Sequence, residues 1–301
     1  MHPSPFVSVV LPTHNGGRYL DQAVASIAAQ SCGDWELILV DDASTDETPG
    51  KIAAWAGREE RIKPVRLDEN RKLPGALNEG FRRAAGEYLT WTSDDNWYAE
   101  DALARMLDVL CQSPEADIVY TDYALVDAGG SPIRREHARP KEDLVLGNCV
   151  GPCFLFRRRV LERLGGYDED FFLTEDYDFW LRASLEFSFL PIGEPLYFYR
   201  QHGESLTALQ QREISLACEK AVLRWLPQAD WLTRKLRGQA LEALGLRALL
   251  RGDVKAGRRH LLRAMLLGRP PRFHKCRSYA VDWLLGAAAG NWFRRRFRTC
   301  K

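Results

Sequence analysis

What most constrains this chain is one repeated unit: an apolar run, an abrupt polar cluster, then apolar residues at helical spacing. Phe6-Val7-Ser8-Val9-Val10-Leu11 stops at Pro12-Thr13-His14-Asn15-Gly16-Gly17, and Tyr19, Leu20, Ala23, Val24, Ile27 and Ala28 then follow a helical period. Residues 35–40 end in Asp41-Asp42-Ala43-Ser44-Thr45-Asp46 before a helix through 52–56. Residues 62–67 are a third strand, a helix covers 75–85, and residues 87–91 run into Ser93-Asp94-Asp95-Asn96. Continuous apolar runs are what strands buried on both faces look like. Strand, turn and helix in this rhythm predict an α/β fold with a mainly parallel central sheet.

Ligands of such sheets bind beyond the carboxyl ends of the strands. The clusters at 12–17, 41–46 and 92–96 should therefore share one crevice holding His14, Asp42 and Asp95. Asp94 and Asp95 are the chemically pointed pair, since two adjacent carboxylates are costly unless a cation or donors sit between them. Mg²⁺ and Mn²⁺ bind through one or two carboxylates plus substrate phosphates. Taken alone, the pair also reads as a polar turn, with Asp95 capping a helix that starts near Tyr98. Neither G-x-G-x-x-G nor G-x-x-x-x-G-K-[ST] occurs, which disfavours a dinucleotide site or a P-loop.

The net charge of +1 hides an asymmetry. From residue 210 onward there are 21 Lys+Arg against 6 Asp+Glu, a net of +15; residues 1–209 carry 21 against 35, a net of −14. An acidic domain over 1–209 and a basic helical region over 210–301 follow, the second suited to an anionic partner. The seven cysteines are odd in number, and only Cys149 and Cys153 stand close, with no zinc-finger spacing. Free thiols in a reducing compartment are the expectation. Nothing before Phe6 reads as a signal peptide, and no apolar run approaches about 18 residues, so no transmembrane helix is expected.

SVVLPTHNGGRYL, LVDDASTDET and ALNEGFRRAAGEYLTWTSDDN, in that order and spacing, closely resemble the N-terminal half of family 2 glycosyltransferases. The resemblance extends over roughly residues 6–205. It implies a GT-A fold and a nucleotide-sugar donor, most often a UDP-sugar. It places Pro12, Thr13, His14 and neighbouring Asn15 around base and ribose, gives Asp42 a hydrogen bond from the base, and sets Asn70 and Asn78 on the diphosphate side. Asn78, in a predicted helix, could equally bond only to a loop. Many relatives read Asp-x-Asp-Asp where this chain has Thr92-Ser93-Asp94-Asp95. Asp95 is then the direct metal ligand, with Asp94 on ribose or a metal-bound water.

In the second half, residues 127–143 are rich in Gly, Pro and charge and read as a mobile loop over the site. The run from Asn148 to Phe156 resembles the family's acceptor-proximal wall, with Cys149 and Cys153 as packing residues. Gly165-Gly166-Tyr167-Asp168 followed by Glu175-Asp176 matches the segment whose Asp is the catalytic base. Asp176 would take the acceptor's proton, with Glu175 and partial burial raising its pKa. Asp168 and Asp178 are weaker candidates, and a charged first turn suiting the helix dipole explains the acids equally well. Tyr199-Arg200-Gln201-His202 stands where relatives carry Tyr-Arg-x-His. His202 would complete the metal's coordination or touch the diphosphate, and Arg200 would pair with phosphate bidentately.

Beyond residue 210 the leucines fall at helical spacing, with a faint likeness to a single tetratricopeptide-like helix pair. Residues 279–301 join aromatics to a basic cluster. That stretch suits an anionic membrane surface, and equally an ordinary solvated basic face. The combined expectation is a metal-dependent, inverting glycosyltransferase using Mn²⁺ or Mg²⁺. It would act on a glycan or lipid-linked acceptor in cell-surface polysaccharide synthesis, in the cytoplasm or peripherally on the inner membrane. A sugar nucleotidyltransferase would need a basic Gly-rich phosphate loop, and residues 12–20 offer only Arg18. A non-catalytic nucleotide-sugar adaptor would not need Glu175-Asp176, and no nucleic-acid recognition motif is present.

Overall fold

The computed structural model describes residues 7–268. Two compact units divide the chain, Met1–Trp225 and Leu226–Lys301. The first unit begins with β1 (Val7–Thr13), α1 (Leu20–Ala28), β2 (Trp35–Asp41), α2 (Thr48–Ala56), β3 (Ile62–Arg66), α3 (Lys72–Arg83) and β4 (Tyr88–Trp91). It continues with β5 (Trp97–Tyr98), α4 (Ala102–Gln112), β6 (Ile118–Val126), β7 (Pro132–Glu136), β8 (Phe154–Arg157) and α5 (Arg158–Leu164). The last elements are α6 (Glu175–Ala183), β9 (Phe189–Arg200), α7 (Leu206–Leu209) and α8 (Gln211–Trp225).

Nine strands among the described residues form one sheet, in the order β3-β2-β1-β4-β8-β6-β9-β5, with β7 paired to β6. The four-stranded half β3-β2-β1-β4 is wholly parallel, as its apolar runs require. The other half is mixed: β8 runs antiparallel to β4 and β6, whereas β9 runs parallel to β6. Every residue of β1 and β2 is buried, and α1 turns Leu20, Ala23, Val24 and Ile27 inward against them. Gly80 lets α3 lie close on the sheet, because a Cβ there would stand 2.4 Å from Val10 Cγ1. This packing brings the ends of β1, β2 and β4 to one edge of the parallel half.

Three expectations are corrected. Residues 127–143 are not one long loop: β7 pairs with β6, and Lys141–Val145 is a 3-10 turn. Asp122 explains why, since its buried carboxylate accepts from Arg135 Nε (2.7 Å), Ala138 N (2.8 Å) and His137 Nδ1 (2.7 Å), which fastens the charged segment down. Trp97 and Tyr98 do not open a helix; they pair with Phe198 and Tyr197 as β5. The first unit also runs one helix beyond the expected boundary after residue 209. Its α8 packs on α6, where Trp225 Nε1 donates to Asp178 Oδ1 at 2.7 Å.

In the second unit, α9 (Arg234–Leu250) and α10 (Val254–Leu266) pack as a helix pair. They cross at Gly245 and Gly257, where an added Cβ would come within 3.1 Å of the opposite glycine's carbonyl oxygen. No described helix is long and apolar enough to cross a membrane. The basic aromatic stretch 279–301, with Cys276 and Cys300, lies outside the described residues.

Candidate active site

The three polar clusters meet at the carboxyl edge of the parallel strands and are bonded to one another. Thr13 Oγ1 donates to Asp94 Oδ2, which joins the end of β1 to the acidic turn after β4. His14 Nδ1 lies 2.6 Å from the Asp42 carbonyl oxygen, which joins it to the end of β2. Asn15 sits in the left-handed region at φ 56°, where its Oδ1 accepts from Thr45 N at 2.8 Å. Gly16 belongs to the same junction: a Cβ there would fall 1.8 Å from Asp94 Oδ2. Pro12 is buried in β1 opposite Val40, whereas the His14 and Asn15 side chains are exposed.

Asp42 is buried, and that burial raises its pKa although Arg71 N donates to its Oδ1 at 2.7 Å. Asn70 is exposed and uses Oδ1 on Lys72 N. Asn78 corrects the diphosphate assignment. Its Nδ2 donates to Tyr167 O at 2.9 Å and its Oδ1 accepts from Tyr167 N at 2.8 Å. Both amide atoms are engaged on one backbone, so Asn78 ties the Gly-Gly-Tyr-Asp segment to α3.

Asp94 and Asp95 occupy the centre. Burial, then the charge of Asp95, pushes Asp94 up to about 7, an acid pair one cation would relieve. Asp95 Oδ2 is 3.0 Å from His202 Nε2, while Asp95 Oδ1 and His202 Nδ1 are buried without a partner among the described residues. No group of three or more His, Cys, Asp or Glu side chains among the described residues is placed to hold a metal ion. An orphaned carboxylate oxygen beside an imidazole nevertheless fits a hard divalent ion that draws its remaining oxygens from substrate phosphates and water. Thr92, where relatives place another Asp, is buried with Oγ1 2.6 Å from Tyr197 Oη, so its position faces aromatic hydroxyls and not the crevice.

Arg200 is the clearest correction. It is 3% exposed, and its guanidinium is engaged throughout: Nε donates to Asp95 O (3.0 Å), Nη1 to Ala128 O (2.7 Å) and Nη2 to Gln22 Oε1 (2.5 Å). Tyr19 and Trp97 cover it, their ring centroids 4.3 and 4.7 Å from Cζ. Buried under those rings and with each of its three nitrogens donating to the protein, Arg200 anchors the backbone of the acidic turn.

At the start of α6, Asp176 is half-buried, Glu175 fully so. Asp176 Oδ2 accepts from Asn148 Nδ2 at 2.8 Å and Oδ1 from Tyr177 N at 2.6 Å, while Glu175 Oε2 has no partner among the described residues. Burial, then the charge of Asp176, pushes Glu175 up to about 8; burial also raises Asp176. One negative charge therefore suits the pair, and it belongs on Asp176, which holds the donors. Asp178 is paired with Arg182 and Trp225, and Asp168 with Arg224 and Asp170 N, so neither is free to act as a base. Cys149 and Cys153 are buried thiols pushed up to about 12 by burial, as packing residues should be.

Sequence reasoning missed Tyr199, half-buried on β9: burial raises its phenol first, a bond to Thr207 opposes that, and the charges of Asp95 and Asp176 push it further. The spacing of β9 marked its aromatic run, and no linear signal singled out this ring.

A curled α/β sheet with acidic turns gathered at its carboxyl edge is the GT-A architecture. The sequence places the chain further, because the model of glycosyl transferase family 2 matches residues 8–165: the chain belongs to that family of transferases. O-antigen biosynthesis protein RfbC of Myxococcus xanthus is 31% identical over 225 residues, covering 72% of this chain and 17% of that protein. Across four curated relatives the chain spans from 17% to 76% of their lengths. S. aureus TarS 1-349 in complex with UDP-GlcNAc shares the fold at TM-score 0.64 and 16% identity, over 96% of this chain and 92% of that one. The mannosyltransferase PcManGT of Pyrobaculum calidifontis, in complex with GDP-Man and Mn2+, does so at TM-score 0.58 and 19% identity, over 99% and 89%.

Proposed function

We propose that this chain moves a sugar from a nucleoside-diphosphate donor, a UDP-sugar by preference, to a hydroxyl of a glycan or lipid-linked acceptor in cell-surface polysaccharide synthesis. The observation that carries the reading is a pair of acid groups, each held by its own partners. Asp95 is tied to His202 and backed by Arg200, and Asp176 is held by Asn148.

Asp42 and the 12–15 turn receive the nucleoside. Asp95 and His202, with Asp94 beside them, would hold the divalent ion, Mn²⁺ or Mg²⁺, whose charge offsets that of the departing nucleoside diphosphate. Asp176 accepts the proton of the acceptor hydroxyl as its oxygen bonds to the anomeric carbon and the bond to the donor phosphate breaks. Glu175 stays protonated, so the pair's charge remains on the group that does this work. A single displacement from the far side inverts the anomeric centre. The UDP-GlcNAc complex of TarS and the GDP-Man and Mn2+ complex of PcManGT support donor class and ion, and the likeness to RfbC supports the polysaccharide setting. Residues 279–301 supply the proposed anionic-membrane contact on the cytoplasmic face.

Asp95→Ala tests the donor side. Calorimetric titration with UDP and GDP, with Mn²⁺ and with EDTA, should show metal-dependent binding to the wild type and at least about a tenfold loss in the variant, the scale of removing one charged partner. Equal binding with and without metal in both proteins would defeat the assignment of Asp95.

A further inference from the structure

The Tyr199 hydroxyl has no role in the scheme above, yet the fold places it with care. Alternation along β9 sets Tyr197 and Tyr199 on the same face, with Phe198 on the other, stacked on Trp97 at 5.1 Å. Tyr197 Oη lies 2.6 Å from Thr92 Oγ1, directly below the acidic turn. Tyr199 stands one pleat further along, about 6–7 Å by strand geometry, immediately before Arg200 and His202, which grip Asp95. On its other side its ring meets Tyr123 at a centroid distance of 6.2 Å. Gly151 lies close on Tyr123, since a Cβ there would be 2.8 Å from Tyr123 Cε1, and the same loop carries Asn148, the donor to Asp176. The Tyr123–Tyr199 pair thus links the strand end that carries Arg200 and His202 to the loop that carries Asn148.

Among the described residues the phenol meets one partner: Tyr199 Oη is 3.3 Å from Thr207 Oγ1 on α7. Tyr199 is only half-buried, and a phenol oxygen with one such contact can make a second hydrogen bond. Neutral hydroxyl groups of a sugar ring are a natural complement of an uncharged phenol, and aromatic faces accept the apolar C–H face of the same ring.

We infer that Tyr199, oriented by Thr207 and backed by Tyr123, is a specificity-determining residue that binds a hydroxyl of the transferred sugar while contributing nothing to binding of the nucleotide. The inference rests on the nucleotide-sugar reading above, and its test separates the two.

Full-length wild type, Tyr199→Phe and Thr207→Val are titrated with UDP and GDP and with UDP-glucose, UDP-galactose, UDP-N-acetylglucosamine and GDP-mannose, all with Mn²⁺. Tyr199→Phe should leave nucleotide affinity within about twofold and weaken the preferred nucleotide-sugar on the order of 5–20-fold, the scale of one neutral hydrogen bond. It should also narrow the preference between the C4 epimers UDP-glucose and UDP-galactose, and Thr207→Val should do the same to a smaller degree. A ring with a structural role alone would shift nucleotide and nucleotide-sugar together and lower the melting temperature. That result, or an unchanged ratio of the two affinities, overturns the inference. Retained nucleotide binding that Asp95→Ala abolishes would show the broader reading still standing; no binding of any nucleotide would remove both.

Discussion

At the scale of single residues, the behaviour of Glu175 and Asp176 follows from where their donors are. Asn148 and the Tyr177 amide serve Asp176, and none serves Glu175 Oε2. With its carboxyl pushed up to about 8 in the fold, against an ordinary value of 4.5, Glu175 contributes stability while protonated. That contribution is complete below about 4.5 and is lost as pH rises towards 8, because the unfolded chain releases the proton first. Glu175→Gln should therefore melt close to wild type at pH 4.5 and several degrees higher at pH 8, on the order of 2–4 °C per kcal/mol for a unit this size. A melting difference that does not change with pH would place the proton elsewhere. Part of the site was legible in the sequence, since Asp42 and Asp94 follow the ends of β2 and β4 and Asp95 meets His202. Which polar groups are already occupied was not: Arg200 and Asn78 carry the right chemistry, and only the fold shows their atoms engaged on Asp95 O and the Tyr167 backbone.

Among elements, strand and helix identity in the parallel half could be read because local pattern and tertiary burial agree there. β1 and β2 are apolar throughout and buried throughout. Where local pattern and tertiary pairing disagree, the sequence misleads. β7 is mostly exposed, Pro-Ile-Arg-Arg-Glu, and owes its strand geometry to β6 and to the ion pairs of Asp122. The two-residue β5 is likewise too short to carry a period and exists through β9. The α3–β1 contact offers a test of element packing. Gly80→Ala must displace Val10 or α3, so a loss of about 1–3 kcal/mol in urea unfolding is expected, as for other overpacked cores. An unchanged midpoint would mean that α3 does not sit tightly on the sheet.

For the whole molecule, the charge asymmetry frames how the parts divide their work. The acidic unit holds the crevice, and the basic excess lies in the residues after 210. A variant ending at residue 278 is expected to lose co-sedimentation with anionic vesicles while keeping nucleotide binding; unchanged partitioning would contradict the membrane proposal. The account as a whole claims that the two acid groups divide one reaction between them, binding on one side and proton removal on the other. Asp176→Asn measures that division most directly, through nucleotide-sugar affinity and transfer rate determined on the same protein. Affinity should stay within about threefold of wild type while transfer falls on the order of 10²–10⁴-fold, the range for losing a general base. Transfer at the wild-type rate in that variant would contradict the claim.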